Sequence, residues 1–311
     1  VEGGYCLNGR KIFISNGHLS YWHIVMFFED KKKGAQNFIQ LVVPNGSHGF
    51  SFGSKERKMG NLGSTASELI FDDCFVPDKM VTLSSSDPAI ARSRKGARWI
   101  IHTVVDYVVS SSRAGVGAIA TGVCRSAYER ALEHCRQKRV CGDLLINHQW
   151  AQIMLTDMYR NTAMARTLYM ESAFTNMLSG LFKLLAKKPI HAFLRIMPVW
   201  YFALLSPLLN LKMATWIFRK YYYDSYTDEE RNISSGWASI AKYTCSDLGL
   251  ANANLALDLM GAEGLRHDRG AEKCFRDVKL QQIYESTNQI NQMNAFYCLV
   301  GSRAAEAEYF K

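Results

Sequence analysis

Residues that favour β structure are crowded into about the first 83 positions of this chain, and helical spacing takes over after them. The runs Lys11–Ser15, His23–Phe28 and Phe38–Val43 are short and β-prone. They are separated by turn formers such as Asn16-Gly17 and Pro44-Asn45-Gly46. A further run, Glu68–Phe71, leads into Asp72-Asp73 and then Val76-Pro77. Closely spaced short strands predict a small antiparallel β-barrel or sandwich rather than an alternating α/β sheet. Three serines and Pro88 mark residues 84–96 as a linker. From residue 97 the apolar positions fall at helical intervals, as in Ala127, Ala131, Leu132 and Cys135, or Met154, Met158, Ala163 and Leu168. Residues 232–262 and 288–300 continue the pattern. The expected fold class is α+β: a β domain over 1–83, then an antiparallel helical bundle over 97–311.

One stretch of the helical half stands apart, an insertion over about 181–231. Between residues 181 and 223 there are seven Lys or Arg and no Asp or Glu, interleaved with Phe193, Leu194, Ile196, Met197, Val199, Trp200 and Tyr201. Pro207, Asn210 and Lys212 interrupt its best apolar window, so a membrane-crossing helix is not expected. Unopposed basic charge beside aromatic bulk suits an in-plane helix or hairpin on an anionic membrane or a partner; a buried helical pair with a basic rim suits it as well. The whole chain carries a formal charge of +9. The basic residues cluster with apolar bulk and not in a recognisable nucleic-acid module, so no nucleic-acid partner is expected. Eight cysteines form no CxxC pair, which disfavours a zinc ribbon and fits reduced thiols and a cytoplasmic setting, with peripheral attachment at the inner face of the membrane through the insertion. The chain opens without Met and without a secretory run, and reads as starting within a longer protein.

The chemistry-bearing segment is Gln282-Ile283-Tyr284-Glu285-Ser286-Thr287-Asn288-Gln289-Ile290. By spacing, Ser286 and Gln289 form a capping box that opens the last helix, with Glu285 at its positive dipole end. Taken locally, such an acid only assists a helix terminus. The wider context points further. This stretch, with Arg276-Asp277 and Met260-Gly261-Ala262-Glu263-Gly264 before it, resembles the acyl-CoA dehydrogenases. Asn8–Gly17, Lys58-Met59-Gly60, Phe71–Pro77, Lys138-Arg139-Val140-Cys141-Gly142 and His148-Gln149 extend the resemblance in the same order. It runs from residue 5 to about 300, apart from the insertion.

The resemblance implies the family's middle β domain and C-terminal helical domain, without its N-terminal helical domain. It implies FAD as cofactor, an acyl-CoA substrate, electron-transferring flavoprotein or a membrane redox partner as electron acceptor, and a homo-oligomer. Glu285 would remove the α-proton of the thioester while a β-hydride passes to flavin, in the forward direction or in reverse as an enoyl-CoA reductase. Arg113, after Ser110-Ser111-Ser112, matches the family's arginine at the CoA-thioester substrate, and Ser110, Tyr284 and Ser286 are further substrate candidates. For the flavin, Phe13, Ile14 and Ser15 stand in the positions of the residues lying against its ring. Lys138 and Arg139 stand at its pyrophosphate, and His148 and Gln149 near its adenosine half. Gly261, Gly264, Thr287 and Gln289 complete the set. On their own, Phe13 reads equally as an inward strand residue, Cys141 as a small buried hydrophobe, and Arg113 as a solvated residue opening its helix. Asp258 and Ala262 depart from the family pattern, and with the missing domain they favour an alternative: a catalytically silent, membrane-associated scaffold.

Overall fold

Strand pairing in the N-terminal stretch is antiparallel throughout. The strands are β1 (Gly4–Ser15), β2 (Trp22–Phe28), β3 (Phe38–Pro44), β4 (Phe50–Lys55), β5 (Ala66–Pro77) and β6 (Val81–Ser84). They form two three-stranded sheets, β1-β5-β4 and β2-β3-β6. Side chains from both sheets share one core, with Leu7, Leu69, Phe71 and Val76 from the first and Val25, Ile39, Leu41 and Val43 from the second. Phe27 meets Phe71 edge-on at 5.2 Å within it. The sheets stay separate and close no barrel among the described residues, which corrects the barrel half of the expectation. β4 and β6 carry little sequence signal because they are short and partly polar; pairing with β5 and β3 creates them.

The computed structural model describes residues 1–30, 32, 37–87, 90, 95–179, 183, 187–209, 226–304 and 306. Two compact units emerge, Val1–Val104 and Val105–Lys311. Their division falls inside helix α1 (Gly96–Gln137). Residues 88–89 and 91–94 of the 84–96 linker lie outside the described residues.

The β1–β5 ladder shifts register at two points, with different results. Opposite Asn8, Asp73 takes φ +48°, and the ladder shifts register between Leu7 and Gly9. Asn8 Nδ2 donates to the Asp73 carboxylate and Asn8 Oδ1 accepts the Asp73 amide, both at 2.9 Å. This bulge keeps Leu69, Phe71, Cys74 and Val76 all facing inward despite the two aspartates between them. A second shift, between Lys11 and Ile14, holds Phe13 at φ +60° with 67% of its surface exposed. Phe13 is therefore not an inward strand residue.

The C-terminal unit is built on α1, α2 (Gln149–Met177), α5 (Asp228–Met260) and α6 (Ala271–Gln281), with α3 (Lys188–Ile196) and α4 (Val199–Leu209) in the insertion and α7 (Asn288–Ala295) near the end. A two-stranded hairpin, β7 (Arg139–Val140) and β8 (Asp143–Leu144), joins α1 to α2. The buried face is rich in small residues: Ala127, Ala131 and Cys135 on α1, Ala151 on α2, Ala253 and Ala256 on α5, Ala271 and Cys274 on α6. Small side chains let helix backbones approach closely, so the core tolerates little added volume. Asn252 of α5 ties three helices, its amide donating to the carbonyls of Cys124 (3.1 Å) and Met158 (2.9 Å) while its oxygen accepts from Asn161 (3.0 Å). α5 opens on a capping box between Thr227 and Glu230. A Cβ at Gly249 of α5 would lie 2.7 Å from Val278 Cγ2 and 3.3 Å from the Ala120 carbonyl. Val278 is β-branched and stiff, so Gly249→Ala is expected to cost about 1–3 kcal/mol in urea unfolding. Gly115→Ala, where nothing lies within 4 Å, is expected to be neutral or to stabilise by about 0.5–1 kcal/mol.

Candidate active site

The turn between α6 and α7 puts two consecutive non-glycine residues in the left-handed region, Glu285 at φ +52° and Ser286 at φ +69°. α6 ends as the Tyr284 amide reaches the Leu280 carbonyl (3.2 Å), and the Asn288 amide closes the turn on the Gln282 carbonyl (3.0 Å). Each left-handed residue costs on the order of 1–2 kcal/mol, so surrounding groups must hold the pair. The cap of α7 is Thr287, whose hydroxyl accepts from the Ile290 amide at 3.4 Å. That displaces the expected Ser286–Gln289 capping box by one residue. The reason is tertiary: the Ser286 backbone is drawn into the turn and the helix starts one position later.

Two helices supply the groups around Glu285. From α1, Ser112 Oγ donates to a Glu285 carboxylate oxygen at 2.8 Å. Arg113 lies mid-helix and 7% exposed, so it is not a solvated residue at a helix start. Its guanidinium donates to Ser239 Oγ of α5 at 3.0 Å and, more weakly, to Ser286 Oγ at 3.4 Å. Its Nε is buried without a partner. From α5, Lys242 is fully buried; its Nζ donates to the Ser286 carbonyl (2.7 Å) and to Asn288 Oδ1 (2.8 Å). Asn291 of α7 turns back, its amide reaching the carbonyls of Glu285 (3.3 Å), Ser286 (3.0 Å) and Thr287 (3.0 Å). The Glu285 amide donates to no backbone carbonyl among the described residues. The result is an exposed carboxylate with two buried cations behind it. Burial pushes Lys242 down to about 8, helped by the nearby Arg113 charge and opposed by Asp247 and Glu285. Burial likewise lowers Arg113 from its ordinary value.

The structure thus brings together Glu285, Ser286 and Arg113 of the expected substrate set. Tyr284 is half-buried beside them. Ser110 is buried, with its carbonyl taking the Asn176 amide at 3.2 Å; it is Ser112, about half a helical turn on, that faces the carboxylate. Sequence reasoning missed Ser112, Ser239, Lys242, Asn288 and Asn291. Lys242 was findable, since a lysine among Ala238, Ala241 and Cys245 falls on the buried face of α5.

The expected cofactor residues fall in several places. Phe13 and Ser15 are exposed, with Ile14 between them half-buried, in the N-terminal unit. Thr287 and Gln289 lie exposed at the start of α7, next to Glu285. Cys141 and Gly142 form the β7–β8 turn, both with positive φ, and Cys141 is exposed rather than buried. Arg139 donates to the Gly142 carbonyl at 3.2 Å, His148 Nε2 lies 3.1 Å from the Val140 carbonyl, and Gln149 is exposed at the start of α2. Lys138 lines a cavity of about 580 Å³ together with His134, Met260, Glu263 and Arg269. Gly261 and Gly264 open and close the tight turn that supplies Met260 and Glu263 to this wall. Gly261 adopts φ +54° and ψ −134°, a backbone open only to glycine. A Cβ on Gly264 would come within 3.0 Å of Met260 Cβ. The cavity's Glu129, Glu133, Glu263 and Asp268 are each paired with an arginine. Lys138 has no carboxylate partner among the described residues, so a cation remains for an anionic ligand. Asp258 and Ala262 are both exposed and outside this wall.

A β unit of two antiparallel sheets, a helical unit, and an acid on a left-handed turn before the last helix define a recognisable class of protein. The profile of the acyl-CoA dehydrogenase middle domain matches residues 1–74, and that of the C-terminal domain matches residues 102–179 and 208–296. The chain belongs to the acyl-CoA dehydrogenase family. It is 27% identical over 292 residues to the short-chain-specific acyl-CoA dehydrogenase of Megasphaera elsdenii, covering 94% of this chain and 59% of that one. It is likewise 27% identical over 289 residues to the acryloyl-CoA reductase (NADH) of Anaerotignum propionicum, covering 93% and 57%. The solved butyryl-CoA dehydrogenase from Megasphaera elsdenii superposes with a TM-score of 0.69 at 26% identity, covering 96% of this chain and 61% of that one. The chain therefore spans about three fifths of the length of these relatives.

The depressed Lys242 sets a pH dependence. Its folded value of about 8 lies below the ordinary 10.5, so between those limits the unfolded chain holds the proton more tightly. Raising pH from 8 to 10.5 should stabilise the wild type relative to Lys242→Met by about 3 kcal/mol. Urea unfolding of both proteins across that range measures the difference.

Proposed function

We propose that this chain carries the catalytic carboxylate of an FAD-dependent acyl-CoA dehydrogenase, with Glu285 as the base. The observation that carries the reading is the left-handed Glu285–Ser286 turn, with its carboxylate fixed by Ser112 and backed by Arg113 and Lys242. Backbone strain concentrates where a side chain must be aimed, and nothing about an ordinary helix start requires it. A carboxylate oxygen of Glu285 takes the α-proton of the acyl-CoA, the electrons of that C–H bond form the Cα=Cβ bond, and the trans-2-enoyl thioester results. Negative charge develops on the thioester oxygen during this step, and the two buried cations offset it. The Glu285 amide, without a backbone acceptor among the described residues, is a donor of the kind such an oxygen needs.

FAD, when bound, supplies the acceptor for the β-hydrogen and its electron pair. Lys138 and the Gly261–Gly264 turn suit its pyrophosphate: a cation without a carboxylate partner stands beside a backbone that approaches closely. Thr287 and Gln289 lie nearest the base. Phe13, an exposed aromatic held at positive φ, is a candidate face for the ring, with Ile14 and Ser15 beside it. Arg139, beside Lys138, would add to the pyrophosphate contact, and His148 and Gln149 would serve the adenosine half. The family likeness supports electron-transferring flavoprotein as the electron acceptor and a homo-oligomer as the working form; in the opposite direction the same groups would serve an enoyl-CoA reductase. Glu285→Gln is expected to slow flavin reduction by acyl-CoA at least about 10²–10⁴-fold while flavin stays bound. Anaerobic stopped-flow at the flavin band measures it. Undiminished reduction overturns the assignment, and a colourless protein in every preparation favours the silent scaffold.

A second proposal concerns the insertion, of which 181–182, 184–186 and 210–225 lie outside the described residues. In α3 and α4, Phe193, Ile196, Val199, Trp200 and Leu204 are exposed beside Lys187, Lys188 and Arg195. The family profile leaves 180–207 unmatched. Among the described residues no helix is long and apolar enough to cross a membrane. Aromatic bulk with unopposed positive charge suits shallow docking on anionic lipid. The full chain should float with vesicles containing phosphatidylserine and not with neutral vesicles, and Trp200→Ser with Arg195→Glu should weaken flotation several-fold. Equal flotation of both proteins removes the idea.

A further inference from the structure

A lysine with no exposed surface is expensive, because its ammonium gives up water and must find partners inside the protein. Lys242 finds two, and both belong to the segment that carries the base: the Ser286 carbonyl at 2.7 Å and Asn288 Oδ1 at 2.8 Å. Asn288 is itself fixed from α5, where its amide meets Ser246 Oγ (2.9 Å) and the Asp247 carboxylate (2.8 Å). From the other side Asn291 gathers the carbonyls of Glu285, Ser286 and Thr287. The Ser286 carbonyl therefore receives two donors. Three successive carbonyls are drawn inward, toward α5 and α7.

The φ values of +52° and +69° at Glu285 and Ser286 need this inward pull. Without it, each residue gains by returning to the right-handed or extended regions. That return would rotate the Cα–Cβ bond of Glu285 and take its carboxylate away from Ser112 Oγ. We propose that Lys242, with Asn291, is the positioning residue of this site: it holds the Glu285–Ser286 turn left-handed and thereby aims the base. The inference rests on Glu285 being the base, but the geometry it concerns exists independently of turnover. The charges facing Lys242 are Arg113 from α1, Asp247 from its own helix and Glu285 from the turn. A neutral amine retains two N–H donors, so deprotonation weakens the hold without abolishing it.

Lys242→Met keeps the length and apolar stem and removes the donors. In hydrogen–deuterium exchange on the full chain, amides of 285–291 should exchange about tenfold faster or more in this variant, while peptides from α1 and α2 change less than about twofold. In flavin-loaded protein, the limiting rate of flavin reduction should fall about 10–100-fold with little change in the half-saturating acyl-CoA concentration, the signature of a misaimed base rather than a lost binding contact. Adding Ser286→Gly, which suits φ +69° without strain, should restore part of that rate. If Lys242→Met does not fold, Asn291→Ala decides, because it removes the opposing donor and should open the same segment. Unchanged exchange over 285–291 in a folded variant overturns the proposal, as does a loss confined to half-saturation. The two readings separate cleanly. Retained reduction in Glu285→Gln removes the base and leaves the exchange result standing, whereas unchanged exchange removes the positioning role alone.

Discussion

A buried ammonium and a strained turn compensate one another at the centre of the helical unit. Lys242 cannot stay out of water without acceptors, and the carbonyl of Ser286 becomes one by turning the chain left-handed at Glu285 and Ser286. Neither feature is favourable alone. The lysine costs free energy at neutral pH, and the turn is disfavoured for any residue but glycine. Joined, they leave an acid standing proud of the surface, tethered by Ser112 and underlaid by positive charge. The long helices α1 and α5 exist, from this point of view, to bring Ser112, Arg113 and Lys242 to one place. Their alanine- and cysteine-rich faces allow the close approach this requires.

The N-terminal unit uses backbone irregularity in a comparable way. Asn8 and Asp73 clasp one bulge so that β5 keeps its apolar face inward across two aspartates. The bulge at Phe13 does the opposite and turns an aromatic ring outward. The motifs around these residues therefore hold two kinds of position. Asn8 and Asp73 keep the sheet in phase and Ile14 packs against its core, whereas Phe13 and Ser15 face outward. Similar language in a sequence motif conceals this division of labour.

The cavity flanked by Lys138 and the Gly261–Gly264 turn adds a second consideration, charge balance. Four acids line or edge it, and an anionic ligand would be repelled if they acted alone. Arginines pair with each of them, which leaves Lys138 and Arg130 as cations of this wall without a carboxylate partner among the described residues. Asp258, one of the two departures from the family pattern, is exposed and does not form part of this wall.

Period and order in the residues were enough to place β structure before helices and to find the small-residue helix faces, because those features depend on neighbours close in the chain; Glu285 stood out only through the order of motifs along the whole chain. Helical spacing alone brought Ala127, Ala131 and Cys135 onto one buried face. What tertiary contact decided was everything depending on residues far apart. Two sheets formed instead of a barrel, since register between distant strands is set by their pairing. The cap of α7 moved from Ser286 to Thr287, and Arg113 became a buried cation in the middle of α1, because α1, α5 and the turn meet there. Ser112 lies 173 positions from Glu285 and Lys242 lies 44 from Ser286. Local propensity has no reach over such separations, so the aim of the carboxylate could be read only from the packed helices.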